Sequence, residues 1–382
     1  MSAEQILRDL VQRASINPMG RTWTSEEYLF EHRVTAYLDQ FLRNLSLAPY
    51  RQSIAPYREN LMVEWRPAQV TRKILLEVHQ DTVPVEGMTI DPFAGAVRDG
   101  KLYGRGACDV KGSMTAILLL IQQLIAKNPL RGASLTIAFT IDEEHTFLGV
   151  QKLVEIVPEV DFAVVFEPTN LQIVETHKGL VRWSISTNGR ACHSSRPQDG
   201  INAIYRMGHL IQCIERYANE ELNGPRFPPD PRLGNATLNI GRIHGGQSAN
   251  IVPDYCQIDL DRRLLPGENA LQAMADLQNY LHAHLGDFGS MAPPQLICPP
   301  LIATADNVAT RELSRAIRSI GLNPQLQAVP FGTDASTIQE KGIPVVVFGP
   351  GDIAQAHTCD EWIELAQIDH AAAILYRLVL EE

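Results

Sequence analysis

The sequence lacks the features that mark disulfide-linked, membrane-spanning and nucleic-acid-binding proteins. Its six cysteines form no C-x-x-C pair, and six among 382 residues are too few for a disulfide framework. No apolar run reaches the roughly 18 residues that a membrane-spanning helix needs. Basic residues are in deficit, with 33 Lys and Arg against 44 Asp and Glu and a net charge of −11. We therefore expect a reduced, cytoplasmic protein that binds neither membranes nor nucleic acid.

The composition is that of an ordinary globular protein, with 45% hydrophobic and 20% charged residues. At roughly 100–200 residues per domain, the length predicts two or three domains. The first residues, MSAEQILRDLVQRASI, place apolar side chains at helical spacing and lack the basic and apolar regions of a signal peptide. We expect an amphipathic surface helix there.

Short apolar runs alternate with helical patterns in the first and last parts of the chain. Buried strands are predicted at Lys73–His79, Ser134–Ile141, Phe162–Phe166 and Ile343–Phe348, and an apolar helix at Met114–Ile125. This alternation is typical of an α/β domain with helices on both faces of a largely buried sheet.

The middle of the chain has a different pattern, in which apolar and polar residues alternate along the strands. The predicted strands are Leu180–Thr187, Ala236–Ile243 and Tyr255–Leu264, and the predicted helices are Ile201–Arg216 and Glu268–Leu285. Such strands bury one sheet face and leave the other to solvent or a partner. We therefore predict an α/β domain formed by residues 1–178 and 292–382, with an α+β domain inserted at residues 179–291.

Ionisable residues follow the predicted buried strands. His79 and Asp81 come directly after the run ILLEV, and residues i and i+2 of an extended chain point to the same side. Asp81 could thus accept the second N–H of a metal-binding His79, although a lone histidine before a turn-forming aspartate is the simpler alternative.

Four further positions repeat this placement. They are Asp109 near the start of the apolar helix, the acidic run Asp142–Glu144, Glu167 after FAVVF, and His357 beyond IPVVVF. Singly, these could be a helix N-cap, a solvated turn and loop residues. Together they supply two histidines and at least three carboxylates at strand ends of one sheet, where ligands of α/β proteins bind. Such donors suit zinc or a related divalent metal, and two metals sharing a carboxylate would lie about 3.5–4 Å apart.

Five motifs follow one another along the chain: HQDTVP from His79, GRGACDVKG from Gly104, DEE from Asp142, EPT from Glu167 and AHTCDE from Ala356. In this order and spacing the chain resembles the zinc-dependent amidohydrolase and exopeptidase family. That family includes acetylornithine deacetylase, succinyl-diaminopimelate desuccinylase, aminoacylase and the glutamate carboxypeptidases. The resemblance implies a mixed-sheet metallopeptidase catalytic domain with an inserted lid and dimerisation domain.

The resemblance also implies a role for each motif residue and two Zn²⁺ per subunit, with Co²⁺ or Mn²⁺ as substitutes. His79 and Glu167 would bind one metal, Glu144 and His357 the other, and Asp109 would bridge them. Asp81 would orient His79. Glu143 would be the general base in amide hydrolysis, taking a proton from the attacking water and passing it to the leaving amine.

In the inserted domain, His193 matches the family position of a lid histidine that stabilises the oxyanion, in its own or the partner subunit of a homodimer. Such a role implies a closing motion. Taken alone, His193 could equally cap a loop.

The substrate is implied less directly. The segments around Lys178, His244, Arg263 and Thr333 look most like the acetylornithine deacetylase branch, with Lys178, Asn250 and Arg263 as substrate-binding residues. A guanidinium suits a substrate carboxylate, although Arg263 could instead pair with Asp261 or Glu268. Asp334 and the pair Asp360-Glu361 could attract a substrate ammonium group. N-acetyl-ornithine is thus the expected N-acyl amino acid, with succinyl-diaminopimelate, acyl-amino acids and dipeptides as alternatives.

Other classes fit the sequence less well. The G-x-S-x-G motif of serine hydrolases is absent. Gly349–Ala354 matches G-x-G-x-x-A, but Pro350 fits poorly with a helix opening onto a pyrophosphate. An inactive binding protein on the same fold would be expected to lack a ligand or Glu143, and none is missing.

Overall fold

The structure is a computed structural model that describes residues 1–23, 25 and 27–380. Its strands are β1 Tyr50–Ala55, β2 Arg58–Trp65, β3 Gln69–His79, β4 Ala96–Arg98, β5 Lys101–Tyr103, β6 Arg131–Thr140, β7 Phe162–Val165, β8 Ile173–His177, β9 Gly179–Asn188, β10 Cys192–His193, β11 Thr237–Gly245, β12 Ile251–Val252, β13 Tyr255–Leu264, β14 Ser290–Met291, β15 Leu296–Cys298, β16 Leu326–Val329, β17 Val345–Val347 and β18 Trp362–Glu364. The predicted strands are all present, with ends shifted by a few residues.

The α-helices are α1 Ala3–Val11, α2 His32–Asn44, α3 Gly112–Lys127, α4 Leu148–Ile156, α5 Ala203–Arg216, α6 Ala270–Leu285, α7 Val308–Ser319, α8 Ala335–Glu340 and α9 Leu365–Leu380. Helix α1 is capped by Ser2, whose side chain accepts the backbone N–H of Gln5, and it buries one apolar face as its spacing predicts.

The largest sheet has the order β1-β2-β6-β3-β7-β17-β8-β16, with parallel pairing among β6, β3, β7 and β17. Every residue of β3 from Ile74 to His79 is buried. Because successive side chains of a strand point to opposite faces, both faces of the sheet are covered there. This confirms the α/β class and explains why these strands appear in the sequence as continuous apolar runs.

Helix α3 is apolar around most of its circumference and lies in the core, in contact with α9 and α1. Within the described residues, only the stretch Ala107–Lys127 is long and apolar enough to cross a membrane. Most of it is buried inside the protein, and a core helix satisfies the same criterion of length and composition.

The chain divides into two compact units. The first comprises Met1–Glu175, Ala303–Gln327 and Thr333–Glu382, and the second Thr176–Ile302 with Ala328–Gly332. The predicted boundary at residue 291 differs from this division, because β15 pairs with β9 of the second unit and carries the chain on to Ile302. The short return at Ala328–Gly332 was not predicted.

The second unit contains an antiparallel sheet in the order β11-β13-β9-β14, with β15 also paired to β9. Helices α5 and α6 contact each other and bury apolar residues with the sheet, including Trp183 and Ile258. Strand β13 alternates buried and partly exposed residues along its length, which is the pattern that predicted an α+β unit.

Candidate metal centre

The parallel strands of the first unit bring the motif residues to one edge of the sheet. His79 pairs in register with Thr140, two residues before Asp142, and Glu77 pairs with Val165, two residues before Glu167. The carboxyl ends of β3, β6 and β7 are therefore level with one another. Residues that are far apart in sequence meet at this edge for that reason.

His79, Asp109 and Glu167 form the first cluster. Nε2 of His79 lies 3.2 Å from Oδ1 of Asp109 and 3.8 Å from Oε1 of Glu167. All three residues are buried. One donor atom from each lies within 4.8 Å of the others, close enough to hold one cation.

Asp109, Glu144 and His357 form the second cluster. Nε2 of His357 lies 3.2 Å from Oδ2 of Asp109 and 3.2 Å from Oε2 of Glu144. The two oxygens of Asp109 thus face different histidines, with Oδ1 toward His79 and Oδ2 toward His357. This is the arrangement required of a carboxylate shared by two metals.

Asp81 lies behind His79, away from the two clusters. Nδ1 of His79 lies 3.0 Å from the Asp81 carbonyl oxygen and 3.6 Å from Oδ1 of its carboxylate. The Asp81 carboxylate also accepts the backbone N–H groups of Glu143 and Glu144, each at 3.2 Å. Asp81 therefore fixes both the His79 ring and the start of the acidic loop.

The electrostatics of the site follow from burying several like charges together. Burial, together with the negative charge of Glu167, raises the pKa of Glu143 well above its usual value. Burial and Asp109 likewise raise the pKa values of Glu167 and Glu144. Hydrogen bonds that His357 donates to the carboxylates of Asp109 and Glu144 raise its pKa to about 11. The closely spaced carboxylates therefore favour protonation, which reduces the negative charge that a bound cation would otherwise neutralise.

The donor set fits divalent cations. Two imidazole nitrogens and three carboxylates are the ligand types of zinc and related metals, and Asp109 has one oxygen for each half of the site. The structure thus brings all five predicted ligands together, and Asp81 with them, while their roles as ligands stay predictions. Their convergence argues against the N-cap and solvated-turn alternatives.

Two of the predicted residues in the second unit adjoin each other. His193 is exposed on β10 and pairs with Ile251 of β12, while the Asn250 carbonyl accepts the Ser194 N–H at 3.0 Å. Nδ1 of His193 accepts the backbone N–H of Ser195 at 3.1 Å. A neutral imidazole that accepts at Nδ1 carries its proton on Nε2, so His193 is oriented as an Nε2 donor.

Two other predicted substrate-binding residues are engaged within the second unit. Nε of Arg263 lies 2.7 Å from Oδ1 of Asp261, which is the ion pair considered above as the alternative. Nζ of Lys178 donates to the Asn235 carbonyl at 2.6 Å, and burial lowers the pKa of Lys178.

Of the three acids expected to attract a substrate ammonium group, Glu361 and Asp334 are buried and Asp360 is exposed, and that role stays a prediction. Glu361 is fully buried, and its carboxylate accepts hydrogen bonds from the loop that carries Asp109. Asp334 is also buried, and its Oδ2 atom accepts the Thr140 hydroxyl at 3.4 Å.

Sequence reasoning missed Asn17 and Arg58. The Asn17 side chain donates to Asp81 and to Asp142, and Arg58 pairs with Asp142 at 2.7 Å and with Glu31. A polar residue between Ile16 and Pro18 was the only local signal for Asn17.

The fold and the site define an α/β protein with a candidate two-metal centre at the carboxyl ends of its parallel strands. The chain belongs to the peptidase family M20/M25/M40, whose sequence model matches residues 75–381. The resemblance seen in the motifs is thereby confirmed, and the chain is a member of a hydrolase family.

Individual relatives agree with this assignment. An acetylornithine deacetylase of Photorhabdus laumondii is 31% identical over 98% of this chain and 96% of its own. A tripeptidase of Staphylococcus aureus has a TM-score of 0.79 at 22% identity, covering 99% of this chain and 96% of its own. A dinuclear metal-binding peptidase of Bacillus subtilis has a TM-score of 0.69 at 17% identity, with 98% and 96% covered. At these identities the two solved structures show the fold.

Proposed function

We propose that the protein is a metal-dependent hydrolase that cleaves the amide bond of an N-acyl amino acid, with N-acetyl-ornithine as the expected substrate. The observation that carries the reaction class is the position of Asp109 between two histidines, one oxygen toward each. The substrate is supported by a relative that matches nearly the whole chain and is named acetylornithine deacetylase.

The proposed metals are two divalent cations, Zn²⁺ first, with Co²⁺ or Mn²⁺ as substitutes. His79 and Glu167 would hold one, Glu144 and His357 the other, and Asp109 both. When bound, such metals polarise a carbonyl and make water more acidic. Asp81 keeps the Nε2 atom of His79 directed toward the site by bonding the opposite side of the ring.

Glu143 is the proposed general base. It is buried in the loop that carries Glu144, and its backbone N–H is held by Asp81. Its carboxylate would take the proton of the attacking water and deliver it to the nitrogen of the leaving amine. Burial and the negative charge of Glu167 raise the pKa of Glu143, which makes its carboxylate a stronger base.

His193 is proposed to donate from Nε2 to the developing oxyanion. Its Nδ1 is occupied by the Ser195 N–H, so the donor tautomer is already selected. Asn250, which directly precedes β12, is proposed to contribute to substrate binding in the second unit, together with Arg263 and Lys178.

We also propose a cytoplasmic homodimer. All six cysteines are free in the described part of the chain, as suits a reducing compartment. In the second unit, β11 is an edge strand with exposed side chains such as Ile243, and a partner strand could pair with it. Light scattering of the purified protein tests the dimer.

The function is tested by amine release from N-acetyl-ornithine, N-acetyl-citrulline, N-succinyl-diaminopimelate and a dipeptide. The metal-stripped protein is assayed with and without added Zn²⁺. Zinc-dependent release from N-acetyl-ornithine is expected. Release from only the succinyl compound or the dipeptide would retain the mechanism and replace the substrate. No release from any compound, with metal bound, would favour an inactive binding protein.

A further inference from the structure

Glu361 is a fully buried carboxylate whose two oxygens accept four hydrogen bonds from one short loop. Oε2 accepts from Nη1 of Arg105 at 2.8 Å and from the Gly106 N–H at 2.9 Å. Oε1 accepts from the N–H groups of Cys108 at 2.8 Å and Asp109 at 3.0 Å. A buried carboxylate satisfied so completely is a fixed anchor.

The anchored loop is the one that carries the shared aspartate. Gly106 has a left-handed backbone, with a φ of 81°, which a residue with a side chain adopts only at an energetic cost. This conformation helps to direct the neighbouring N–H groups toward the Glu361 carboxylate. The loop is also held from the other side, because the Gly104 N–H donates to the Glu361 carbonyl at 3.0 Å. Glu361 lies only four residues beyond His357, so one short segment joins a ligand of the second cluster to the backbone of Asp109.

We propose that Glu361 is the positioning residue of the metal centre: by fixing residues 105–109, it sets where both oxygens of Asp109 lie relative to His79 and His357. The inference rests on the proposed function only in requiring that divalent metals bind. Glu361 touches neither metal nor substrate, so its effect is transmitted through Asp109.

The chemistry of the anchor makes the isosteric amide a sharp test. Four donors point at the two oxygens of Glu361. In Glu361→Gln one oxygen becomes an NH₂ group, which must face either Arg105 and Gly106 or Cys108 and Asp109. Either choice leaves two buried donors unsatisfied, and the loop must shift. Losing an outer partner of a metal ligand typically weakens metal affinity by about 10–100-fold.

The experiment measures Zn²⁺ binding to metal-stripped protein by calorimetry, together with the visible spectrum of the Co²⁺-loaded form. Glu361→Gln is compared with wild type and with Glu364→Gln, the same chemical change at an exposed residue of β18. We expect at least a tenfold loss of Zn²⁺ affinity and an altered Co²⁺ spectrum in Glu361→Gln alone. Wild-type affinity and spectrum in a folded Glu361→Gln protein, or an equal loss in Glu364→Gln, would overturn the proposal.

Circular dichroism and the melting temperature of the metal-free proteins establish that each variant is folded. If Glu361→Gln does not fold, Glu361→Asp decides, because it keeps the charge but is one methylene too short to reach all four donors. Weakened Zn²⁺ binding in that variant supports the inference, and unchanged binding overturns it. A wild-type protein that binds metal yet releases no amine would contradict the proposed function alone. A wild-type protein that binds no divalent metal would overturn both.

Discussion

Asn17 donates its side-chain amide to Oδ2 of Asp81 at 2.8 Å, although 64 positions separate the two residues in sequence. The same nitrogen donates to Oδ1 of Asp142 at 2.9 Å, so two buried carboxylates share one neutral donor. Nη1 of Arg58 donates to the same Oδ1 atom of Asp142 at 2.7 Å. The residues that support the candidate metal centre thus come from the N-terminal segment and β2 as well as from the motif loops.

Replacing Asn17 with Ala should destabilise the metal-free protein by about 1–3 kcal/mol, because Asp81 and Asp142 each lose a buried donor. Urea unfolding measures this loss. Asn44→Ala, at the exposed end of α2, is the control and should change stability much less. Equal effects in the two variants would show that the bond to Asp81 contributes little.

Replacing Glu143 with Gln should lower kcat by about 10²–10⁴-fold with metal content unchanged, because the amide cannot accept a proton. Turnover and metal per chain are measured on the same preparation. Glu159→Gln, at a side chain that is 92% exposed, is the matched control. A Glu143→Gln protein with full activity would remove Glu143 as the base.

Asp109 and Glu167 should differ in how many metals they control. Asp109→Asn replaces one oxygen of the residue common to both clusters and should lower occupancy at both, whereas Glu167→Gln should affect only the cluster that contains His79. Elemental analysis of dialysed protein gives metal per chain. Full loss of both metals in Glu167→Gln, or retention of both in Asp109→Asn, would contradict the shared-ligand arrangement.

His193→Ala should lower kcat by about 10²–10³-fold, the usual cost of one oxyanion donor, without changing metal content. His209→Ala removes an exposed histidine of α5 and serves as the control. An unchanged kcat in His193→Ala would show that the histidine has only a structural role in β10.

The stability of the protein should fall on mild acidification because of His177. Burial lowers the pKa of His177 to about 4 from an ordinary value of 6.5. As pH falls between these values, the unfolded chain binds a proton that the folded protein does not. The stability that the protein has above pH 6.5 therefore decreases as the pH falls below this value, by up to about 1.4 kcal/mol per pH unit, until the histidine of the folded protein titrates. Urea unfolding across this range should show a shallower pH dependence for His177→Asn, and equal slopes would refute the prediction.

The sequence alone was enough to group the candidate site residues that follow buried strands. Continuous apolar runs predicted buried parallel strands, and parallel strands bring their last residues together, so His79, Glu143, Glu167 and His357 could be grouped before any coordinates were known. The motifs then supplied the family.

The remainder depended on contacts that no local pattern encodes. Asn17 and Arg58 reach their carboxylate partners across more than 60 residues. The sequence suggested only an ammonium-binding role for Glu361, because its four donors lie about 250 positions away. The second predicted domain boundary differs from the division seen in the structure because β15, which is only three residues long and lies among prolines, continues the second unit beyond residue 291.

The position of β17 has a consequence for synthesis on the ribosome. This strand lies between β7 and β8 in the sheet, yet it is translated after the whole of the second unit. Until it emerges, β7 and β8 lack the strand that lies between them, and the backbone groups that would bond to it stay unpaired. A polypeptide that stops short of Val345 would lack this strand, His357 and Glu361 together. Incomplete chains should therefore be targets for chaperones and proteases, and metal capture should follow chain release.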